Sequence, residues 1–250
     1  MNCSHCNTVY DNTQDYLCPS CGGIETMNLF NDVPNYDKFL KDLTNKTATL
    51  IDKLKTKGID VNDIRRTKLG GFNILTLATL LEINDYEQDI RYNDSRIPTI
   101  LKQNNPTMNN SMLLAVIENI DIRNRIAYLT ISLFQFENLF VSLSKELGFT
   151  GNETYFNSVN YLIDNMNLQN KTEKKDTLIL PSILRNTLHS SGIYKNRNDK
   201  NLKVKNISFK FVNGQIHTYT SWRMIIFCFN NIIEIIEEIL DNFTSTKTLS

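Results

Sequence analysis

The segment Ser111–Leu147 reads SMLLAVIENIDIRNRIAYLTISLFQFENLFVSLSKEL. Apolar residues recur through it at three- and four-residue intervals, which predicts one long helix, with residues 119–124 as the place where it could break. Gly148 follows at once and is expected to end the helix. Together with the helical patterns on both sides, this segment predicts a mostly α fold.

Helical patterns lie on both sides of this segment. A one-sided apolar stripe predicts a helix over Tyr36–Leu54, and Phe72–Ile83, apolar on nearly all sides, predicts a buried helix. Residues 94–110 are rich in Asn and contain Pro98 and Pro106, so they are expected to form a linker. Towards the C-terminus, helices are predicted from a cap at Thr150 or Asn152 to Met166, over Thr177–Ser190 and over Ser221–Asp241.

Residues 204–219 have the pattern of two strands. Apolar and polar residues alternate from Val204 to Phe211, Asn213-Gly214 follows, and alternation resumes from Gln215 to Tyr219. This predicts a β-hairpin that turns at Asn213-Gly214. His217 alternates with apolar residues and is expected to pack across the strands.

The N-terminus carries a metal-binding pattern. Four of the five cysteines lie in two CxxC pairs, at Cys3, Cys6, Cys18 and Cys21. Four thiolates suit tetrahedral zinc and leave no open position for substrate, so we expect one structural zinc ion in a ribbon over residues 1–25. A redox-active CxxC would need a single pair near a βαβ pattern, which is absent. His5 is expected to be a bystander, although it could replace a cysteine as ligand, and Cys228 is expected to be a buried core residue.

Composition excludes few classes of function. Lysine plus arginine and aspartate plus glutamate each number 27, so the net charge favours no partner. The N-terminal residues contain no apolar run typical of a secretory signal. The longest apolar stretches, 126–136 and 224–229, are too short to span a bilayer. A soluble, cytoplasmic protein without membrane insertion is therefore expected.

The segment 184–194, LRNTLHSSGIY, contains the candidate active site. On a helix, Arg185 and His189 share one face. Arginine can bind a phosphate through two hydrogen bonds, and histidine can transfer protons near neutral pH. Together they could cleave RNA by attack of the ribose 2′-hydroxyl, without a metal ion. Alternatively, the two residues are an ordinary surface pair.

Charge near this pair indicates a polyanionic partner. Residues 171–210 contain ten Lys or Arg against three Asp or Glu, a local net charge of +7. We expect Lys195 and Arg197 to contact RNA and Tyr194 to stack on a base, although the basic run could equally be a solvated loop. Glu137 either reaches and orients Arg185 or lies on an exposed edge.

The segment LRNTLH with the following Gly192-Ile193-Tyr194, the Asn-Gly turn, Trp222 and a last apolar helix resembles HEPN-domain proteins over roughly residues 111–243. The resemblance implies a dimerising helical bundle in which the motifs of two subunits face each other. It also implies a metal-independent endoribonuclease, of the kind found in toxin, antiviral and RNA-processing systems. Arg185 and His189 would be the catalytic pair, Asn186 the polar residue after the arginine, and Glu137 a supporting residue.

One departure from the family pattern leaves a second hypothesis open. Only three residues separate Arg185 from His189, fewer than is usual in the family. The chain is thus expected to be either an RNA-cleaving homodimer or a non-catalytic dimeric scaffold that binds RNA, nucleotide or protein. The predicted organisation is a zinc ribbon over 1–25, a helical middle region and linker over 26–105, and a HEPN-like helical domain with a β-hairpin insertion over 106–250. The ribbon or the middle region could bind a protein partner.

Overall fold

A computed structural model describes residues 36–90, 96–190, 192–205, 207–217, 221–243 and 248–249. Over these residues the protein is mostly α, as the sequence predicts, with one two-stranded antiparallel sheet. The elements are α1 (Tyr36–Thr56), α2 (Ile64–Ile90), α3 (Arg96–Asn104), α4 (Asn110–Glu146), α5 (Tyr155–Asn165), α6 (Lys171–His189), β1 (Lys200–Val204), β2 (Ile207–Phe211) and α7 (Trp222–Asn242). The predicted zinc ribbon and its four cysteines lie outside the described residues.

The helix α4 runs unbroken for 37 residues, so the break allowed at residues 119–124 does not occur. It ends as predicted at Gly148, whose φ of +95° is a left-handed conformation and whose N–H donates to the Lys145 carbonyl at 2.8 Å. Among the described helices, α4 is long and apolar enough by length and composition to cross a membrane. A core helix of a soluble protein has the same properties, and part of α4 is buried against its neighbours.

A large apolar core joins α1, α2, α4, α5, α6 and α7, while α3 packs in a separate small cluster with Leu113 and Ile117 of α4. Aromatic rings from α2, α4 and α7 meet at its centre, with ring centroids 4.7 Å apart for Phe72 and Phe136 and 5.6 Å apart for Tyr128 and Phe229. Phe39 and Leu43 of α1 belong to the same core. The helices α1 and α2 of the middle region therefore pack on the C-terminal bundle.

Parallel ion pairs fix α1 beside α7. Lys46 of α1 contacts Glu234 of α7 at 3.1 Å, and Lys53 contacts Asp241 at 2.6 Å. Ser221 caps α7, because its side-chain oxygen accepts a hydrogen bond from the Met224 N–H at 3.2 Å. Cys228 is buried in this helix, as predicted, and burial raises the pKa of its thiol.

Two sequence predictions on α2 and α3 are wrong in part. The segment 72–83 lies within α2, but the helix is not buried on all sides, since Ile74 is 69% and Leu81 64% exposed. The proposed linker 94–110 contains the helix α3, which tolerates Pro98 because a proline in the first turn gives up an N–H that has no partner within the helix.

The hairpin forms one turn earlier than predicted. Strands β1 and β2 pair with Val204 opposite Ile207, so the connection consists of residues 205 and 206, with Lys205 at a φ of +43°. The Asn213-Gly214 turn does reverse the chain. Its return strand pairs with residues 192–194 instead of β2, through an isolated bridge between Ile193 and Ile216.

The helix α6, which carries the candidate site, begins six residues before its predicted start and contains Pro181 in its interior. A proline there removes one helical hydrogen bond. The Tyr155 hydroxyl donates to the Leu178 carbonyl at 2.6 Å, in the turn that precedes Pro181. Tyr155 begins α5, whose cap is Thr154, not Thr150 or Asn152 as predicted.

Candidate functional site

Arg185 lies near the C-terminal end of α6, with its side chain 19% exposed. Its Nη1 donates to Oε1 of Glu137 at 3.1 Å, and its Nε donates to Oδ1 of Asn186 at 3.4 Å. Glu137 comes from α4, so the contact joins two helices that are far apart in sequence. The sequence allowed Glu137 either to reach Arg185 or to lie on an exposed edge, and in the structure it contacts Arg185.

A tyrosine lies close to this ion pair. Burial raises the pKa of Tyr155, and the negative charge of Glu137 raises it further while Arg185 opposes that effect. Tyr155 is therefore a neutral hydrogen-bond donor at ordinary pH, and its hydroxyl proton is committed to the Leu178 carbonyl. Its place in the site is structural support for α6.

His189 is the last residue of α6 and is exposed to solvent. Gly192 allows the helix to end here, since its φ is +81° and its N–H donates to the Thr187 carbonyl at 2.9 Å. His189 lies four positions after Arg185 on the helix, a rise of about 6 Å along the axis. The imidazole is thus free to meet a ligand that also contacts Arg185.

Tyr194 does not fit the predicted role in base stacking. It is only 4% exposed, and its ring packs on Phe211 with ring centroids 5.5 Å apart. Its hydroxyl accepts a hydrogen bond from the Asn196 side chain at 3.1 Å. The isolated bridge between residues 193 and 216 pairs this segment with the chain after Asn213-Gly214, and Tyr194 is buried there against Phe211. The sequence alone does not show this pairing.

His217 is a packing residue, as predicted. Its Nε2 accepts a hydrogen bond from the Val212 N–H at 3.1 Å, and its ring lies 5.3 Å from that of Phe211. Its main-chain N–H donates to the Gly192 carbonyl at 2.8 Å. It therefore holds the turn beside the end of α6.

Several cations of the basic segment 171–210 are already held in ion pairs within the protein. Lys174 pairs with Glu238, Lys175 with Asp164, and Lys205 with Glu234, at 2.7–3.0 Å. Lys195 and Arg197 are exposed in the loop after the site. The cations available for a polyanion thus lie in this loop and on the exposed side of the hairpin, at Lys203 and Lys210.

An exposed apolar surface, which sequence reasoning missed, borders the site. We define the α2/α4 face by the side chains of Ile74, Leu77, Leu81, Ile131 and Phe134, which are 42–69% exposed. The helices lie side by side here, because Thr76 and Tyr128 share a hydrogen bond of 3.0 Å. Phe134 is one turn before Glu137, so the face continues to the ion pair. The apolar residues on all sides of α2 were the signal in the sequence.

Over the residues that the structure describes, no group of three or more His, Cys, Asp or Glu side chains could hold a metal ion. In comparisons with known proteins, no family model, no curated protein and no solved structure matches this chain.

Proposed function

We propose that this protein is a homodimeric endoribonuclease that cleaves RNA by attack of a ribose 2′-hydroxyl on the adjacent phosphate. The observation that carries the proposal is the Arg185–Glu137 ion pair beside the exposed His189 on one face of α6. The resemblance of the segment 184–194 to HEPN proteins gives the reaction class, which is that of toxin and antiviral nucleases.

Each residue has a chemical task in this reaction. Arg185, held by Glu137 and by the amide of Asn186, binds the phosphate and stabilises the negative charge that builds up on it. His189 removes the proton of the 2′-hydroxyl or returns one to the departing 5′-oxygen. The new bond joins the 2′-oxygen to phosphorus, the bond to the 5′-oxygen breaks, and the products carry a 2′,3′-cyclic phosphate and a 5′-hydroxyl.

RNA would reach the site along the exposed cations after α6. Lys195 and Arg197 are suited to phosphate contacts, which strengthen binding to any sequence and weaken as salt rises. Tyr194 has no part in this contact because its ring is buried.

The α2/α4 face is the surface through which two copies would associate. Exposed apolar side chains grouped on one face often mark an interaction surface. Because Phe134 of this face lies one helical turn before Glu137, burial of the face would bring two α6 sites towards one shared cleft. The zinc ribbon over residues 1–25, with one structural zinc ion, completes the proposal, and we place the protein in the cytoplasm.

The test is cleavage of end-labelled RNA in EDTA by wild type, Arg185→Ala and His189→Ala at equal folded concentration. We expect each substitution to reduce the rate about 100-fold or more, because each removes a group that acts in the transition state. Products of the wild type should carry 2′,3′-cyclic phosphate ends. Lys55→Ala, which removes an exposed cation of α1, is the matched control and should cleave within a few-fold of wild type.

Two results would contradict the proposal. Equal cleavage by wild type and His189→Ala would indicate another site or a contaminant. A folded, dimeric wild type that leaves RNA intact would favour the second function, a non-catalytic dimeric scaffold for RNA, nucleotide or a protein partner. Two observations favour that function. The α2/α4 face would serve association without catalysis, and the buried Tyr194 cannot stack on a base of an RNA substrate.

A further inference from the structure

Arg223, in the first turn of α7, is a buried cation that has no anion beside it among the described residues. The residue is 4% exposed, and its Nε is enclosed with no hydrogen-bond partner. Over the described chain, no carboxylate forms an ion pair with it. A charge taken out of water in this way costs several kcal/mol unless something pairs with it.

The same protein shows how a buried arginine is ordinarily accommodated. Arg65 is 2% exposed, and its Nε and Nη2 donate to both oxygens of Asp63 at 2.8 and 2.6 Å. Arg223 has no equivalent of Asp63. The contrast indicates that the partner of Arg223 is supplied from elsewhere.

The acidic residues of α7 itself cannot be that partner. Glu234 lies on the same face as Arg223, but eleven residues of helix place it about 16 Å along the axis. Glu234 is also already bound by Lys46 and Lys205, at 3.1 and 2.8 Å. Asp121, near the neighbouring Trp222, is bound by Arg125 at 2.8 Å.

Other hydrogen-bond donors lie at the same end of the helix. The main-chain N–H groups of Trp222 and Arg223 occupy the first two positions of α7 and have no acceptor among the described residues. The Ser221 side-chain oxygen accepts from Met224, which leaves its O–H proton available. Helical side chains lean towards the N-terminus of their helix, which for Arg223 is the end that carries these donors.

We infer that the N-terminus of α7 is a binding site for a terminal phosphate group, held by the Arg223 guanidinium, the N–H groups of residues 222 and 223, and the Ser221 hydroxyl. A helix N-terminus favours an anion, and a guanidinium fork matches the oxygens of a phosphate. Because Arg223 is almost enclosed, the group must protrude from its molecule, as a phosphate monoester does. The site does not depend on the proposed RNA cleavage.

A local probe is built into the site. Trp222 is the one tryptophan of the chain, and its indole N–H donates to Asp121 at 2.8 Å. Its fluorescence therefore reports on the start of α7 alone. We would titrate the full-length protein with inorganic phosphate at constant ionic strength and follow this signal.

The variants are Arg223→Met, Arg223→Lys and Arg185→Met. Wild type and Arg185→Met should show a saturable change. Arg223→Met should need at least about tenfold more phosphate, because it loses charge-assisted hydrogen bonds. Arg223→Lys, which keeps the charge without the fork, should fall between. Methionine fills a similar volume without a buried charge, so Arg223→Met should fold. If it does not, a higher phosphate midpoint for Arg223→Lys than for wild type still tests the role of the guanidinium.

Three results would overturn the inference. They are the absence of a saturable response in wild type, equal midpoints for wild type and the Arg223 variants, and a response to acetate as strong as that to phosphate. Failure of the proposed nuclease is distinguishable, since Arg185→Met should lose cleavage of RNA and still bind phosphate at α7.

Discussion

At the scale of single residues, the most deeply buried ion pair among the described residues is Asp63–Arg65, at the start of α2. Asp63 is 0% and Arg65 2% exposed, and Asp63 Oδ2 also accepts the Leu249 N–H at 2.8 Å. The Ile64 N–H donates to the Leu249 carbonyl at 3.0 Å. Asp63 thereby ties residue 249, in a tail for which the sequence gives no packing signal, to the first turn of α2.

Asp63→Asn should destabilise the protein by about 3–5 kcal/mol, because it leaves the charge of Arg65 buried without its partner. Denaturant unfolding followed by circular dichroism would measure this. Asp60→Asn, three residues earlier and exposed, is the matched control and should change the free energy of unfolding by less than about 0.5 kcal/mol.

The same carboxylate should make stability depend on pH. Burial alone would raise the pKa of Asp63, but the hydrogen bonds from Arg65 and Leu249 outweigh it and hold the pKa below its ordinary value of 3.8. Its stabilising contribution is therefore full above pH 3.8 and is lost as the pH falls through the lower folded-state pKa. Asp63→Asn should lack this component of acid unfolding, and an unchanged pH profile would contradict the assignment.

At the scale of elements, contacts from α6 override the local signal of the hairpin. Asp176 accepts the Lys203 N–H at 2.9 Å, and Glu173 accepts the Lys205 N–H at 3.1 Å. The apolar residues Leu202 and Val204 of β1 are buried in the core. The Asn-Gly pair correctly predicts a turn, but the partner of each strand depends on this packing.

The zinc ribbon is the element that the sequence predicts most specifically. We expect the purified protein to contain one zinc ion per chain, measured by native mass spectrometry or elemental analysis. Cys18→Ser should lose the metal, because a structural zinc site needs all four thiolates. His5→Ala is the matched control and should retain it. Equal zinc content in wild type and Cys18→Ser would contradict the ribbon.

At the scale of the whole molecule, the α2/α4 face and the candidate site share the helix α4, on which Phe134 lies one turn before Glu137. The five apolar side chains of the face expose a few hundred Å² in total, and a stable interface buries roughly 800 Å² per partner. The face can therefore be the apolar centre of a dimer interface whose rim includes polar neighbours such as Asn138.

Ile74→Glu and Leu81→Glu together should convert a dimer into a monomer, since two carboxylates on each copy would have to be buried at the interface. Sedimentation equilibrium would measure the association. Val61→Glu is the matched control, because Val61 is 60% exposed and lies in the turn before α2, outside the face. A wild type that is monomeric at all concentrations, or a dimer that survives both substitutions, would contradict this interface.

The sequence by itself determined that the chain is mostly helical, where α4 ends, that Cys228 is buried and that Arg185 and His189 share one face, but it missed α3 and the first turns of α6. The correct predictions follow from periodicity and from local backbone preferences, which act within a few residues. Only the tertiary structure decided that Tyr194 is covered, that β1 pairs with β2, that Glu137 meets Arg185 and that one side of α2 is exposed. Periodicity shows that a helix has an apolar side, but which neighbour covers that side depends on segments distant in the chain, whose packing no local pattern encodes.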